Sequence, residues 1–546
     1  MPASLSFSTV HAAFRATAQR HGTLPFLCVL PEVAARYGIH ARTLDYAEAL
    51  TQIDPLAQRY RTAGYGHGHR VGLLLENRPA FFLHWLALNS LGVSVVPINA
   101  ELRSAELQYL IAHSEICLAV TLSERAESLR AAAAANRIAL PTMGPEDWVV
   151  PTANRAPPRT DTPDSDTECA LLYTSGTTGR PKGCVLPNEY YLMAGAWYNR
   201  IGGLCGIRER QERLITPLPM VHMNAMAYST MAMIMSGGCV VPLDRFHPAN
   251  WWASVRESRA TIVHYLGVMP AMLLGAPASK QDREHGVRFG FGAGVDKTLH
   301  APFEARFGFP LLEAWAMTET GAGAVVIANR EPRHVGTACF GVPEREVEVR
   351  IVDDAGADVR PGVPGELLVR AAGDRPRRGF FREYLKDEAA TGEAWAGGWF
   401  HTGDVVRADG QGHLYFVDRR KNVIRRSGEN IAAVEVEAVL RQHPLVANVG
   451  VAPVPDALRG DEVAACVVPA RELTPGETPH AAQELVAHCL QRLAYYKAPG
   501  WIAFCASLPL TATQKIQRSE LKALARARVN AGAAVDTRAL KKRQAV

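Results

Sequence analysis

The chain has 546 residues, too many for one ordinary hydrophobic core, and its length favours roughly three to four domain-sized units. Hydrophobic residues make up 48% and charged residues 21%, which excludes a mostly disordered protein. The net charge of +5 is slight at this length and does not indicate the concentrated basic face of a nucleic-acid binder, so no nucleic-acid partner is expected.

In chain order, Ser8 to Gln19 reads as a surface helix and Pro25 to Leu30 as a strand. Arg15 and Arg20 without any acidic residue before Glu32 loosely imitate a transit peptide, but the helix-and-strand pattern is the simpler reading. From residue 45 onward the two periodicities alternate. Tyr46 to Arg61, Phe81 to Leu91 and Ala105 to Ala112 have helical spacing. Val71 to Leu75, Val93 to Pro97 and Cys117 to Leu122 are short apolar strands. Apolar runs between helices argue a largely parallel sheet covered on both faces.

Ala132 to Asp166 reads as an exposed connection, an alanine run followed by prolines among polar residues. Strands resume at Ala170 to Tyr173, Ala260 to Leu266, Val287 to Gly290 and Leu311 to Ala314. From about Gly341 the helices are expected to stop, and Val347 to Val352 and Gly365 to Val369 alternate like antiparallel strands. After Asp418 comes a small α+β unit, with helices at Val434 to Arg441 and Ala482 to Leu493 and strands at Val446 to Pro453 and Glu462 to Val468. The tail beyond it reads as solvated and disordered. The fold class is therefore α/β: a large N-terminal domain of stacked α/β subdomains plus a β-rich subdomain, with a small α+β C-terminal domain. The expected limits are 1–420, 421–530 and a disordered tail 531–546.

Ten scattered cysteines lack the close spacing of zinc or redox motifs and read as core filling in a reducing compartment, which favours a cytoplasmic location. No window of about 18 apolar residues suggests a membrane span.

The densest chemical signal runs from Tyr173 to Gly183, Tyr-Thr-Ser-Gly-Thr-Thr-Gly-Arg-Pro-Lys-Gly, directly after an apolar strand. Glycines admit backbone N–H groups close to phosphate oxygens, hydroxyls donate further hydrogen bonds, and Lys182 adds charge. It is not a Walker loop, because no Gly-Lys-Ser/Thr opens a helix.

This segment resembles the phosphate-binding loop of the adenylate-forming superfamily, which comprises acyl-CoA synthetases, nonribosomal adenylation domains and beetle luciferases. Further motifs follow in the family's order over nearly the whole chain. Trp315-Ala316-Met317-Thr318-Glu319-Thr320 resembles the motif whose Thr meets the α-phosphate and whose Glu holds magnesium. Trp399 to Asp404 resembles the motif whose Asp binds both ribose hydroxyls, and Asp418 to Lys421 the stretch with a ribose-contacting Arg419 and the hinge Lys421. Leu508 to Lys515 resembles the loop carrying the catalytic lysine. Alone, Glu319 would read as a helix-face charge and Asp404 as a turn cap; their joint order and spacing outweigh that.

The resemblance implies Lys515, Thr318 and Glu319 as catalytic residues, with Glu319 the Mg2+ ligand. It implies nucleotide contacts from Thr174, Ser175, Gly176, Thr177, Thr178, Lys182, Gly292, Ala293, Gly294, Trp315, Ala316, Met317, Asp404 and Arg419. His222 and Asn224 are expected beside the acyl pocket. Gly428 and Glu429 are expected to guide the thiol when the small domain rotates. Trp315 offers a plane for adenine to stack on, or a core side chain. Trp315, Ala316 and Asn422 depart from the usual Tyr, Gly and acidic residue. The implied activity is ATP-dependent adenylation of a carboxylic acid followed by thioester formation with coenzyme A. The charge argument behind it is general: a carboxylate attacking the α-phosphorus brings two anions together, so cations and donors must neutralise the transition state.

Within the superfamily the chain looks most like bacterial crotonobetaine/carnitine-CoA ligases, in Val417 to Arg420, Arg426 to Ile431 and the region Phe246 to Trp252. A small polar or betaine-type acid follows as the expected substrate, with Trp251, Trp252, Trp315 and Tyr228 as aromatic candidates that core packing also explains. The expected partners are the acid, ATP and coenzyme A, with a homodimer as the self-association considered. A stand-alone enzyme loading a carrier protein and a catalytically silent nucleotide-binding protein are the alternatives.

Overall fold

The computed structural model of the chain describes residues 6–174, 180–353, 355–419, 423–509, 516 and 518–541. Two compact units emerge, one of residues 1–100, 111–172 and 183–418, the other of residues 101–110, 173–182 and 419–546. Two short segments from the N-terminal half therefore group with the C-terminal residues, which a single cut in the sequence does not anticipate.

The first unit contains an eight-stranded sheet in the spatial order 326–327, 311–315, 289–293, 262–266, 213–216, 239–242, 25–29, 42–45. Its inner neighbours are parallel, and only the two edge strands run antiparallel. A second sheet orders 142–143, 118–121, 70–74, 94–97, 168–174 and 182–187, parallel from 142–143 through 168–174. Strands such as Leu118–Thr121 and Ser94–Pro97 are buried at every position, as parallel strands covered by helices on both faces must be. The third sheet, 339–341, 414–419, 400–408, 365–371 and 347–352, pairs antiparallel, and its strand Phe400–Ala408 alternates between buried and half-buried positions along its first eight residues.

Local chemistry sets the helix starts. Thr9 accepts the backbone N–H of Ala12 at 3.0 Å, and Asp45 that of Glu48 at 2.7 Å. The helix Pro79–Asn89 is apolar on nearly every face and is accordingly core, with Trp85 packed 5.4 Å from Tyr191.

Three expectations need correction. The connection predicted from Ala132 starts later, because Ala132 and Ala133 complete the helix Ser123–Ala134 and are buried. Its remainder is held by Ala153 N–H to the Ala63 carbonyl at 2.8 Å and Arg159 N–H to the His67 carbonyl at 2.9 Å. Helices do not stop at Gly341: Glu388–Ala394 is helical, started by Asp387 accepting the Ala390 N–H at 3.0 Å. That helix buries no residue, so it lacks the apolar spacing by which helices are read.

The third correction concerns the tail. In the second unit a sheet orders 429–432, 423–426, 460–469, 501–504 and 535–536, with 446–456 also paired to 460–469. Residues 535–536 thus add a strand, and Lys541 buries its ammonium against Glu462. Arg426 Nε bonds both oxygens of the same carboxylate, at 3.0 and 2.9 Å. Lys541 reads as solvated from composition alone, and a buried acidic partner far away in sequence reverses that for this residue. All ten cysteines are buried and none is in a disulfide.

Replacing Glu462 with Gln would leave two buried cations without their carboxylate. The urea midpoint of the variant should fall by the equivalent of about 3–5 kcal/mol, measured by circular dichroism.

Candidate active site

Several separate segments of the first unit carry the candidate site residues. The strand Phe289–Ala293 runs into Gly294, whose φ of 81° is left-handed. A Cβ at Gly292 would lie 2.3 Å from the Tyr265 carbonyl oxygen, so only glycine fits there. The Gly294 and Val295 N–H groups donate to Glu313 at 2.9 and 3.2 Å, and the Tyr265 hydroxyl donates to it at 2.8 Å. A buried carboxylate therefore shapes the loop Gly292, Ala293, Gly294. Burial pushes the Glu313 pKa above the ordinary carboxylate range.

After the strand Leu311–Trp315 comes a tight turn, in which Met317 N–H donates to Thr320 Oγ1 at 2.9 Å and Gly321 N–H to the Met317 carbonyl at 3.0 Å. Ala316, Met317 and Thr318 are half-buried and Glu319 is buried. Tyr384 donates its hydroxyl to Glu319 Oε1 at 2.9 Å, and no hydrogen bond among the described residues takes Oε2. The same strand aims Trp315, whose indole N–H donates to Asp404 Oδ2 at 2.9 Å. Asp404 is fully buried, its own N–H bonded to Thr402 Oγ1 at 3.0 Å after Gly403 bends the strand with φ 67°. Trp315 and Asp404, 89 residues apart, are thus brought together. The Trp315 ring is buried near Phe340, which is the core-packing alternative for that side chain.

His222 is half-buried just ahead of a π-helical turn, Asn224–Ser229. The Asn224 amide oxygen lies 2.6 Å from His264 Nδ1, Ser229 Oγ 2.8 Å from the same nitrogen, and the Tyr198 hydroxyl 3.1 Å from Nε2. A carbonyl oxygen only accepts, so Nδ1 carries the proton and Nε2 accepts from Tyr198. Complete burial lowers the His264 pKa to about 3 and keeps the ring neutral. Asn224, expected beside the acyl pocket, spends its amide oxygen on this histidine. Tyr228 is buried against Trp197 and Phe291, ring centroids 5.5 and 5.8 Å away, and its hydroxyl has no partner among the described residues.

In the second unit Thr174 ends the strand Glu168–Thr174 and Lys182 opens Lys182–Pro187, both half-buried. Arg419 ends the strand Leu414–Arg419. Ser427 and Gly428, with φ of 50° and 88°, form the two-residue turn between paired strands, with Glu429 next to it. Ser175, Gly176, Thr177, Thr178, Lys421 and Lys515 lie outside the described residues.

The family profile described as AMP-binding enzyme matches residues 14–385, and that of the AMP-binding enzyme C-terminal domain matches residues 435–515. The chain belongs to the AMP-binding enzymes. Among this family's curated members, crotonobetaine/carnitine–CoA ligase of Escherichia coli O9:H4 is 31% identical over 499 residues, 87% of this chain and 92% of that relative. Among solved structures, o-succinylbenzoate CoA synthetase from Bacillus subtilis, bound with a product analogue, superposes with a TM-score of 0.78 at 25% identity, over 94% of this chain and 98% of that one. A malonyl-CoA ligase bound to methylmalonyl-CoA and AMP gives 0.71 at 25% identity, over 92% and 99%. This AMP-binding enzyme is an AMP-forming acid–thiol ligase of the acyl-CoA synthetase type, with an acid, ATP and coenzyme A as substrates. No helix among the described residues is long and apolar enough to cross a membrane.

His264, Glu313 and Tyr384 were not singled out from the sequence. For the first two a signal exists: each interrupts an apolar parallel strand, where a polar group needs a specific partner. Tyr384 sits among charged residues and carries no such signal.

Because His264 stays neutral when folded while an exposed histidine protonates below about pH 6.5, its contribution is present above that pH and is lost as pH falls toward its folded value. Unfolding stability should drop by about 2 kcal/mol from this group between pH 7.5 and pH 5. Urea midpoints of wild type and His264→Gln at both pH values check it: the variant should lose less on acidification.

Proposed function

We propose that this acyl-CoA synthetase activates a small polar acid of the betaine type. The observation that carries the reading is the 31% identity, across 87% of the chain, to crotonobetaine/carnitine–CoA ligase. A quaternary ammonium has no N–H to donate and is recognised by aromatic faces. Of the four aromatic candidates, Trp251 packs 5.3 Å from Phe246, Trp252 lies 4.6 Å from Phe307, and Trp315 serves Asp404. Tyr228 is the candidate we retain.

In this reading the acid's carboxylate attacks the α-phosphorus of ATP and pyrophosphate leaves. The mixed anhydride then yields to the coenzyme A thiolate, which displaces AMP. We assign Thr174, Ser175, Gly176, Thr177, Thr178 and Lys182 to the phosphates, and Asp404 and Arg419 to the ribose. The turn Trp315, Ala316, Met317 and the loop Gly292 to Gly294 border the base and the acyl group, Thr318 meets the α-phosphate, and His222 and Asn224 flank the acid. Glu319 fits a magnesium ion, being a hard oxygen donor with Oε2 unclaimed among the described residues; a bound Mg2+ would supply charge neutralisation at the phosphates. Lys515 stabilises the adenylation transition state, Lys421 is the hinge, and Gly428 and Glu429 attend the thiol. We place the enzyme in the cytoplasm, in keeping with ten cysteines outside any disulfide.

A panel of carboxylic acids supplied with ATP, with and without coenzyme A, tests the substrate. Trimethylammonium acids should release pyrophosphate and AMP, whereas analogues carrying tert-butyl in place of trimethylammonium should react far more slowly. Equal turnover of the neutral analogues would remove the betaine assignment and leave the ligase chemistry standing. Lys515→Ala should slow pyrophosphate release by on the order of 10²-fold while thioester formation from supplied acyl-AMP stays within a few-fold of wild type.

A further inference from the structure

We propose that Tyr384 is a positioning residue, whose hydroxyl holds the Glu319 carboxylate in one orientation so that its second oxygen faces the magnesium–nucleotide. The inference rests on the role given to Glu319 above and adds a residue to it. The phenol donates to Oε1 at 2.9 Å, and both side chains are largely buried, 9% exposed for Tyr384 and 7% for Glu319.

The backbone of the turn is already clamped. Phe381 N–H donates to the Glu319 carbonyl at 2.8 Å, and a Cβ at Gly321 would lie 2.3 Å from the Tyr190 ring and 2.7 Å from the Gly379 carbonyl oxygen. What stays undetermined is the side-chain torsions of Glu319, and the Tyr384 hydroxyl removes that freedom.

Tyr384 is itself fixed independently of Glu319. Its ring packs 4.7 Å from Phe381, its N–H donates to Thr391 Oγ1 at 3.0 Å, and its backbone bridges Cys184. A phenylalanine would fill that place equally well as packing; only the hydroxyl distinguishes tyrosine, and the hydroxyl donates to Glu319. A phenol is protonated at neutral pH, so the hydroxyl serves as the donor and the carboxylate oxygen accepts.

Two effects of this hydrogen bond compete. Donation withdraws charge from the carboxylate and weakens its pull on a cation, while fixed orientation avoids the cost of ordering the side chain on binding. Partners that orient a metal ligand typically change affinity by about 10–100-fold when removed, so orientation wins.

The test uses the full-length protein with Tyr384→Phe, Glu319→Gln and the double variant. Mn2+ binding in the presence of ATP, without acid, is read by electron paramagnetic resonance, and the Mg2+ concentration for half-maximal pyrophosphate release is read by titration. Tyr384→Phe should weaken both by about 10–100-fold with melting temperature close to wild type, and the double variant should be no weaker than Glu319→Gln alone. Unchanged Mn2+ affinity in Tyr384→Phe would overturn the proposal, as would full additivity in the double variant. A wild type that binds Mn2+–ATP but never releases pyrophosphate would count against the adenylation reading and leave the Tyr384 comparison valid.

Discussion

The hydrogen bond from the Trp315 indole to Asp404 ties the end of a parallel strand in one sheet to the middle of an antiparallel strand in another. Neither sheet could shift against the other without leaving a fully buried carboxylate short of a donor, a penalty of about 1–3 kcal/mol or more for a charged group. The short antiparallel strand Val326–Ile327, the turn that carries Glu319 and the approach of Phe340 to Trp315 all sit around that contact. A large β-rich segment thus keeps a defined register against an α/β body.

Buried polar groups recur wherever this enzyme needs a shaped loop. Glu313 gathers two backbone N–H groups and a phenol, His264 gathers Asn224, Ser229 and Tyr198, and Glu319 takes Tyr384. In each case a loop conformation that apolar packing leaves open is selected by a directional bond, because an unsatisfied partner in that environment is costly. Such loops can hold their shape before any substrate arrives, which is what a site built for developing charge requires.

Much of the architecture was legible in the sequence. Apolar runs such as Val71 to Leu75 and Ala260 to Leu266 fall on real strands because a parallel strand buried on both faces has almost no other composition. The helix Glu388–Ala394 escaped notice because it buries no residue fully and meets the core only through the partly buried Ala390 and Ala394. The tail escaped because its anchor, Glu462, lies 79 residues from Lys541, and no local pattern encodes that pairing. For the site, the motif stretches marked Glu319, Asp404 and the glycines of 292–294, whose chemistry is local. What they did not reveal is which side chains aim those groups, since Tyr384 and Trp315 act across 65 and 89 residues.

The ten thiols have a practical consequence for anyone wishing to watch this enzyme move. Each is buried and outside any disulfide, so maleimide dyes or nitroxide spin labels should find little to attach to in the native protein. Cysteines introduced at exposed apolar positions, Val363 in the first unit and Leu458 in the second, would then carry probes against a quiet background. Interprobe distances recorded with acyl-AMP and with coenzyme A would show whether the separation of the two units differs between these states, without prior removal of native sulfur.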